Sequence, residues 1–125
     1  MLELEKLLPK KTSVRQLRIA ELIKKTVAEA LIENLVDSKI IVENFITISK
    51  VNLSPDLHNC TIYITAFNCN NIKELMAELN NFAPKFRFII SKQIKLKSSP
   101  QVIFRYDDTL EHVAKIEELI ESTKE

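Results

Sequence analysis

Residues 43–67 read ENFITISKVNLSPDLHNCTIYITAF, and their pattern indicates the fold class. From Glu43 to Leu53, and again from Cys60 to Phe67, β-branched and other apolar residues alternate with polar ones. That alternation predicts two strands, each with one face against a core. The turn-forming run Ser54-Pro55-Asp56 lies between them. We therefore predict an antiparallel pair of strands.

Helices are predicted before and after this strand pair in the sequence. Ser13 and Gln16 have the spacing of a capping box, and apolar residues follow at helical intervals, so we predict a helix over Val14–Leu35. The later predicted elements are a helix from Asn71 to about Asn81, a helix from Pro84 to about Lys95, a strand with Val102, Phe104 and Tyr106, and a short acidic helix that Asp108 and Glu111 open. This order predicts an α+β fold with helices on a three-stranded sheet.

The length of 125 residues fits one domain. We expect an N-terminal extension at 1–12, a single domain at 13–122 and a tail at 123–125. No apolar run is long enough to span a bilayer, and the start carries Glu3 and Glu5 without a signal-peptide pattern, so a cytoplasmic location is expected. Cys60 and Cys69 lack the paired spacing of a zinc site, so we expect no metal and no cofactor.

Glycine is absent from the chain. A P-loop, a dinucleotide-binding fingerprint, a nucleophile elbow and a GxxG clamp all need glycine, so these classes are excluded. Positive φ angles are expected at asparagines in predicted turns, namely Asn59, Asn68, Asn70 and Asn71. No nucleophile with a base and an orienting group can be nominated, so we expect a protein that is not an enzyme.

Charge is strongly segregated although the net charge is only +1. Between Pro84 and Tyr106 there are six cations and no acid: Lys85, Arg87, Lys92, Lys95, Lys97 and Arg105. A second basic cluster lies near the N-terminus: Lys10, Lys11, Arg15, Arg18, Lys24 and Lys25. The acids concentrate in Asp107–Glu125. Segregated basic segments are typical of proteins that bind phosphate, although a solvated helix surface also carries such runs.

Several short sequences occur in a specific order along the chain. They are Arg15-Gln16-Leu17-Arg18, Val36-Asp37-Ser38-Lys39-Ile40, Val51-Asn52-Leu53-Ser54-Pro55-Asp56-Leu57, Thr61-Ile62-Tyr63-Ile64, Phe86-Arg87, Ile94-Lys95-Leu96-Lys97, and Phe104-Arg105-Tyr106-Asp107-Asp108-Thr109-Leu110-Glu111. Together they resemble the ribosome-binding factor A family of bacterial small-subunit assembly factors. The resemblance implies a type II KH-like fold, with 16S rRNA and the free small ribosomal subunit as partners. We expect a monomer with no membrane or small-molecule partner.

The family has an Ala-x-Gly kink between its two central helices, and Phe82-Ala83-Pro84 is the aligned sequence here. Proline lacks an N–H and pushes the residue before it away from the α region, so it can break a helix without glycine. We therefore predict two helices that meet near Ala83. In this prediction Pro84 begins the second helix and Phe82 is buried.

The candidate RNA-binding residues are Arg15, Arg18, Lys25, Lys85, Arg87, Lys92, Lys95, Lys97 and Arg105. On a helical wheel the basic side of Lys85–Lys95 lies opposite Phe86, Ile90 and Ile94. Phe88 falls on the basic side, where it either stacks on an unpaired base or, the interpretation that we favour, is buried in the core or under a terminal segment. Two functions are open: an rRNA-binding assembly factor that assists 16S rRNA processing and 30S maturation, or a protein-interaction module on a KH- or ferredoxin-like scaffold.

Overall fold

Apart from one additional short helix, the described helices and strands follow the predicted order. A computed structural model describes residues 13–67 and 69–108. Its elements are α1 (Val14–Ile32), α2 (Lys39–Glu43), β1 (Phe45–Leu53), β2 (Asn59–Phe67), α3 (Ile72–Asn81), α4 (Ala83–Gln93) and β3 (Gln101–Tyr106). The predicted N-terminal extension and the acidic helix beyond residue 108 lie outside the described residues. None of the described helices is long and apolar enough to cross a membrane.

The three strands form one mixed sheet in the order β1-β2-β3. β1 and β2 are antiparallel, as predicted, and the Ser54 N–H donates to the Asn59 carbonyl at 2.8 Å where the two strands meet their turn. β3 is parallel to β2, with Phe104 opposite Ile62. A parallel neighbour requires a crossover connection, which α3 and α4 supply. The α+β prediction is confirmed.

A β-bulge at Ser49 keeps the apolar side chains of β1 on one face of the sheet. The register of β1 against β2 shifts there, so that Ile48 lies opposite Ile64 before the bulge and Val51 lies opposite Ile62 after it. Because side chains alternate along a strand, the second half of β1 would turn its apolar residues away from the core without the extra residue.

The helices pack on one face of the sheet and form the core with it. α1 contributes buried residues at helical spacing: Ile19, Ala20, Ile23, Val27 and Ala30. From α4, the Phe86 ring meets Phe104 of β3 edge to face, with 5.0 Å between ring centroids. The opposite face of the sheet carries exposed Lys50, Ile103 and Arg105. This second face of the sheet is not packed against the helices and is a surface separate from them.

α1 ends at Ile32, three residues before the predicted end at Leu35. Asn34 has φ 54°, and the N–H groups of Asn34 and Leu35 donate to the carbonyls of Leu31 and Ala30 at 3.4 and 3.0 Å. This is the Schellman arrangement that ends many helices, and asparagine tolerates the left-handed conformation that it needs.

Three of the four predicted positions of positive φ were wrong. Within the described residues the non-glycine positions with positive φ are Asn34 and Leu57, whereas Asn59, Asn70 and Asn71 are not among them. Leu57, with φ 64°, lies in the turn between β1 and β2, where its N–H donates to the Ser54 carbonyl at 2.9 Å. Asn68, the fourth predicted position, is outside the described residues.

The short helix α2 was not predicted, and β1 begins at Phe45 rather than Glu43. Ser38 caps α2, since its Oγ accepts from the Ile41 N–H at 3.4 Å. Ile41 then turns into the core. Five residues are too few to show a helical period, so the capping serine was the available signal.

α3 and α4 are two distinct helices that meet near Ala83, as predicted, with Phe82 as the junction residue. Phe82 has φ −91° and ψ 5°, and its carbonyl accepts from the N–H groups of Lys85 and Phe86 at 2.9 and 3.1 Å. Ala83 is already the first helical residue and Pro84 the second, so the predicted extended conformation at Ala83 was wrong. Pro84 fits there because the first helical N–H groups have no intrahelical partner. Phe82 is half-buried and packs on the core.

Candidate nucleic-acid interface

The start of α1 is anchored to the end of β1 by Gln16. The Ser13 N–H donates to Gln16 Oε1 at 2.9 Å, and the Gln16 N–H donates to Ser13 Oγ at 3.1 Å, which completes the predicted capping box. Gln16 Nε2 also donates to the Leu53 carbonyl at 3.0 Å in a buried hydrogen bond. The first turns of α1 are thereby fixed relative to the sheet, with Arg15 and Arg18 exposed.

A groove of about 640 Å³ lies between the first turns of α1 and the end of α4, and we name it the basic groove. Three of the predicted cations line it: Arg15 and Arg18 from α1, and Lys95 from the segment after α4. The other lining residues are Val14, Ile19, Leu22, Gln93, Ile94 and Leu96. No carboxylate is among these lining residues, so an anion in the groove meets cations, apolar surface and the neutral amide of Gln93.

The exposed side of α4 continues this basic surface. Lys85, Phe88 and Lys92 are exposed at helical spacing, and Lys95 is exposed just beyond the end of the helix at Gln93. Phe88 is 54% exposed, so its predicted place in the core was wrong; cover by a terminal segment would involve residues outside the described ranges. The Lys92 Nζ lies 5.2 Å from the Phe88 ring centroid, which is a cation–π contact. An aromatic ring beside a cation is suited to stacking on an unpaired base.

Arg87 differs from the other candidates because part of its guanidinium holds a loop. Arg87 Nη2 donates to the Ser99 carbonyl at 2.9 Å, and Ser99 Oγ donates to the Arg87 carbonyl at 3.2 Å. This reciprocal pair ties residues 94–100 to α4. Lys97 is exposed on the same loop, and the neighbouring Ser98 Oγ lies 3.4 Å from His58 Nδ1 in the β1–β2 turn. Phosphate contact by Arg87 and Lys97 stays a prediction.

The structure does not bring all nine candidates together. Arg105 lies on the open face of the sheet opposite Tyr63, where Lys50 Nζ is 4.6 Å from the tyrosine ring centroid. Lys25 lies further along α1, beside Glu21. Lys85 is at the start of α4, about 12 Å from Gln93, where α4 reaches the basic groove, at 1.5 Å per residue. The contiguous set is therefore smaller than the sequence suggested.

Within the described residues, the nine candidate cations form no side-chain ion pair. The side-chain ion pair found there joins Lys39 to Glu43 at 3.8 Å, and it includes none of the nine candidate cations. α1 has no acid in its first turn and no base in its last turn. Since a helix N-terminus already carries partial positive charge, Arg15 and Arg18 add to that potential and make this end attractive to anions.

The sequence analysis missed the groove itself and the reach of Gln16 to β1. A signal was present, because Val14 and Leu22 are apolar residues that do not belong to the stripe formed by Ile19, Ile23 and Val27. Apolar residues beside Arg15 and Arg18 indicate a second, partly covered side of α1. What the sequence could not show is that the end of α4 provides the other wall.

Two titratable groups outside this surface have shifted pKa values. Burial raises the pKa of the Cys60 thiol to about 12, so it is not a nucleophile near neutral pH. The Ser54 hydroxyl and the His58 N–H lower the pKa of the exposed Asp56 carboxyl, which organises the β1–β2 turn. Within the described residues, no group of three His, Cys, Asp or Glu side chains is placed to hold a metal ion. The basic surface offers binding through charge and stacking.

The chain has a KH-like α+β fold, in which a helix, an antiparallel strand pair, two helices and a parallel third strand follow one another. The family model of ribosome-binding factor A matches residues 15–120. The chain belongs to the ribosome-binding factor A family, which confirms the resemblance.

Two relatives show how far this similarity extends. Ribosome-binding factor A of Halothermothrix orenii is 32% identical over 112 residues, which cover 89% of each chain. Ribosome-binding factor A of Caldicellulosiruptor saccharolyticus is 37% identical over 105 residues, which cover 82% of this chain and 77% of the relative. The similarity therefore spans most of both proteins.

Solved structures support the same fold. The crystal structure of ribosome-binding factor A from Thermus thermophilus superposes with a TM-score of 0.61 at 19% identity, covering 73% of this chain and 94% of that one. A homology model of the Thermus thermophilus protein, fitted into a cryo-electron microscopy map of its complex with the 30S subunit, superposes with a TM-score of 0.58 at 17% identity. It covers 70% of this chain and 90% of that one.

Proposed function

We propose that this protein is a ribosome assembly factor that binds the small ribosomal subunit or its precursor and assists 16S rRNA processing and 30S maturation. The observation that carries the proposal is the basic groove, where cations from two distant parts of the chain converge without a carboxylate among the lining residues. Membership of the ribosome-binding factor A family supports it, as does the fit of the Thermus thermophilus relative in a 30S complex.

The proposed contacts are mostly to phosphate and depend on RNA shape rather than on base sequence. Arg15, Arg18 and Lys95 hold backbone phosphates at the groove, where all three side chains are exposed and free to reach them. Phe88 stacks on an unpaired base beside Lys92. Such a surface recognises a folded rRNA junction and loses its site when maturation closes that junction.

The remaining candidates extend this surface in the proposal. Lys25 and Lys85 take phosphates further from the groove, and Arg87 and Lys97 take them beside the loop 94–100. Arg105 meets a separate RNA segment, since it lies on the open sheet face. The protein acts as a cytoplasmic monomer in one domain and needs no cofactor.

Co-sedimentation across a salt series tests the proposal. Purified protein is centrifuged with mature small subunits, immature small subunits and large subunits at increasing salt. We expect binding to small subunits or their precursors that falls steeply with salt, because each phosphate contact releases counterions. Equal binding to large subunits, or no binding at low salt, would contradict the assembly-factor function. Binding that is insensitive to salt would favour the protein-interaction module.

A further inference from the structure

A second groove lies at the other end of α1, and we name it the apolar groove. It has a volume of about 480 Å³ and is bounded by the end of α1, α2 and the start of β1. Three of its lining residues are large, apolar and exposed: Ile32 at 79%, Phe45 at 78% and Val42 at 49%. Phe67, 73% exposed, lies opposite Phe45 in the sheet. Large apolar side chains clustered at such exposure mark an interaction surface.

The fold has no evident need for these side chains. The core is formed by other residues of the same elements, such as Val27, Ile41 and Ile48. β1 is an edge strand of the sheet, and natural edge strands are commonly protected with charged residues or proline. Here the edge begins instead with an exposed phenylalanine. A partner that covers this end would account for it.

The charges around the apolar groove indicate what kind of partner fits. Its described lining residues carry no charge, and exposed carboxylates flank them along the chain: Glu29, Glu33, Asp37 and Glu43. The one cation among residues 29–45, Lys39, is paired with Glu43 at 3.8 Å, so Glu29, Glu33 and Asp37 are the flanking carboxylates that keep no ion pair among the described residues. An acidic rim repels phosphate and attracts cations. Two copies of this chain facing each other through this groove would bring like charges together.

The distribution of charge along α1 also favours a cationic partner at the apolar groove. Arg15 and Arg18 lie in the first turns of α1, Lys24 and Lys25 follow Glu21 near its middle, and Glu29 and the C-cap residue Glu33 lie at its end, a distribution opposite to the one that a helix dipole favours. These charges do not stabilise the helix, whereas binding an anion at its start and a cationic partner at its end would account for their placement. Nineteen residues at 1.5 Å each place the two ends about 28 Å apart, so both grooves can be occupied at once.

We infer that the apolar groove binds a cationic, apolar segment of a protein while the basic groove contacts RNA. The inference rests on the proposed function and deepens it, because it assigns a second class of partner: a basic protein of the small subunit or its precursor. In this arrangement Ile32, Val42 and Phe45 are the apolar anchors, and Glu29 and Glu33 meet lysine or arginine side chains of the partner.

Photo-crosslinking identifies what occupies the groove. A Phe45→p-benzoylphenylalanine variant is bound to purified small subunits and their precursors and irradiated, with an Ile103→p-benzoylphenylalanine variant as the matched control on β3. We expect the Phe45 variant to crosslink to one or two basic subunit proteins, and the control to give a much lower yield of that product. A crosslink to 16S rRNA, a crosslink to a second copy, or no protein crosslink from the bound variant would overturn the inference.

An affinity comparison separates the two grooves. The Ile32→Ser, Phe45→Ser double variant should bind intact small subunits about tenfold more weakly and bind protein-free 16S rRNA as the wild type does. Ile103→Ser is the control for loss of an exposed apolar residue and should change neither. Since the replaced side chains are exposed, circular dichroism should show a native fold. Equal loss of rRNA affinity, or unchanged subunit affinity, would overturn the inference.

A wild-type protein that binds no small subunit would contradict the proposed function. In that case a crosslinking experiment with isolated small-subunit proteins tests the inference about the apolar groove independently. The Phe45 crosslinking variant is mixed with each purified basic small-subunit protein in turn. A crosslink that disappears in a Glu29→Lys, Glu33→Lys background supports the inference. The absence of a crosslink to every one of these proteins overturns it.

Discussion

Gln16 is a single side chain that joins local and long-range structure. Its amide caps α1 through Ser13 and also reaches the Leu53 carbonyl of β1 in a buried hydrogen bond. The orientation of Arg15 and Arg18 depends on this attachment. The shape of the basic groove therefore depends on Gln16, although Gln16 is not one of the residues that line it.

We expect Gln16→Ala to lower the free energy of unfolding by about 2 kcal/mol, from a lost cap and an unpaired buried carbonyl. Urea unfolding followed by circular dichroism measures this. Leu17→Ala, at an exposed neighbouring position of the same helix, is the control and should change stability by less than about 0.5 kcal/mol. A Gln16→Ala protein as stable as the control would show that the link to β1 contributes little.

The two cysteines should differ in reactivity. Burial raises the pKa of Cys60 to about 12, whereas Cys69 is only half-buried. At pH 8 a maleimide should label Cys69 in the native protein and both cysteines in denaturant, as mass spectrometry would show. Because the folded pKa of Cys60 lies above the unfolded one, its contribution to stability is fully present below pH 9 and declines as pH rises from about 9 towards 12. Rapid native labelling of Cys60 at pH 8 would contradict its burial.

Residue types alone did not separate the roles of the cations. Arg87 and Arg105 are charged residues in the same acid-free run, yet one ties a loop through Ser99 and the other lies on the far face of the sheet. Arg15 and Lys95 are distant in sequence and line one groove. The run of cations could be recognised in the sequence. Which cations lie together, however, depends on the packing of α1 against α4, and no local sequence pattern shows this packing.

At the scale of elements, the junction of α3 and α4 shows how a chain without glycine makes a sharp helix break. The Phe82 carbonyl accepts two N–H groups of α4, so this residue ends one helix and starts the next. Asn80 adds a tertiary constraint, since its side chain exchanges hydrogen bonds of 2.8 and 3.1 Å with the Phe104 backbone. The break is thus held by contacts on both sides of Phe82.

We expect Pro84→Ala to keep the fold and to lower the free energy of unfolding by about 0.5–1 kcal/mol, because the unfolded chain gains conformational freedom. The new N–H at residue 84 allows the two helices to merge locally, which should weaken subunit binding. Hydrogen exchange at residues 82–86 and co-sedimentation measure the two effects. Unchanged exchange at these positions together with unchanged binding would show that Phe82 and Asn80 alone define the junction.

The exposed side of α4 should contribute to binding and little to folding. Lys92→Glu with Lys95→Glu reverses two exposed charges of the basic surface. We expect subunit affinity at low salt to fall at least tenfold and the circular dichroism spectrum to stay native, because phosphate contacts become repulsive. Lys39→Glu with Lys73→Glu is the control, with the same charge change elsewhere. Equal affinity in both double variants would make α4 an ordinary solvated helix.

Most of the fold could be predicted from element-level patterns, and the failures have physical causes. Alternation in β1 and β2 and capping at Ser13 and Asn71 specified long elements correctly. α2 was missed because five residues show no period, and the end of α1 was misplaced because Leu35 continues an apolar pattern after Asn34 has already reversed the chain.

At the scale of the whole molecule, the described surface has a basic end and an acid-rimmed apolar end. Beyond the described residues the sequence is also acidic, since residues 111–125 hold five glutamates against two lysines. A near-neutral molecule with this separation binds phosphate where its cations are dense and limits binding elsewhere.

Removing the acidic residues 111–125 should therefore weaken the preference of the protein for small subunits over random RNA. Deletion from Glu111 onward changes the formal net charge from +1 to +4. We expect the truncated protein to bind random-sequence RNA several-fold more tightly at low salt, with the difference shrinking at higher salt as screening removes the repulsion. Filter binding across a salt series measures this.

A full-length variant with Glu117→Gln, Glu118→Gln and Glu121→Gln separates charge from chain length. If repulsion of phosphate is the cause, this variant should recover most of the gain while keeping every residue in place, and its affinity for small subunits should rise less than its affinity for random RNA. A gain in the truncation alone would indicate that the segment blocks the RNA surface sterically. A truncated protein that no longer folds would instead make residues 111–125 part of the core.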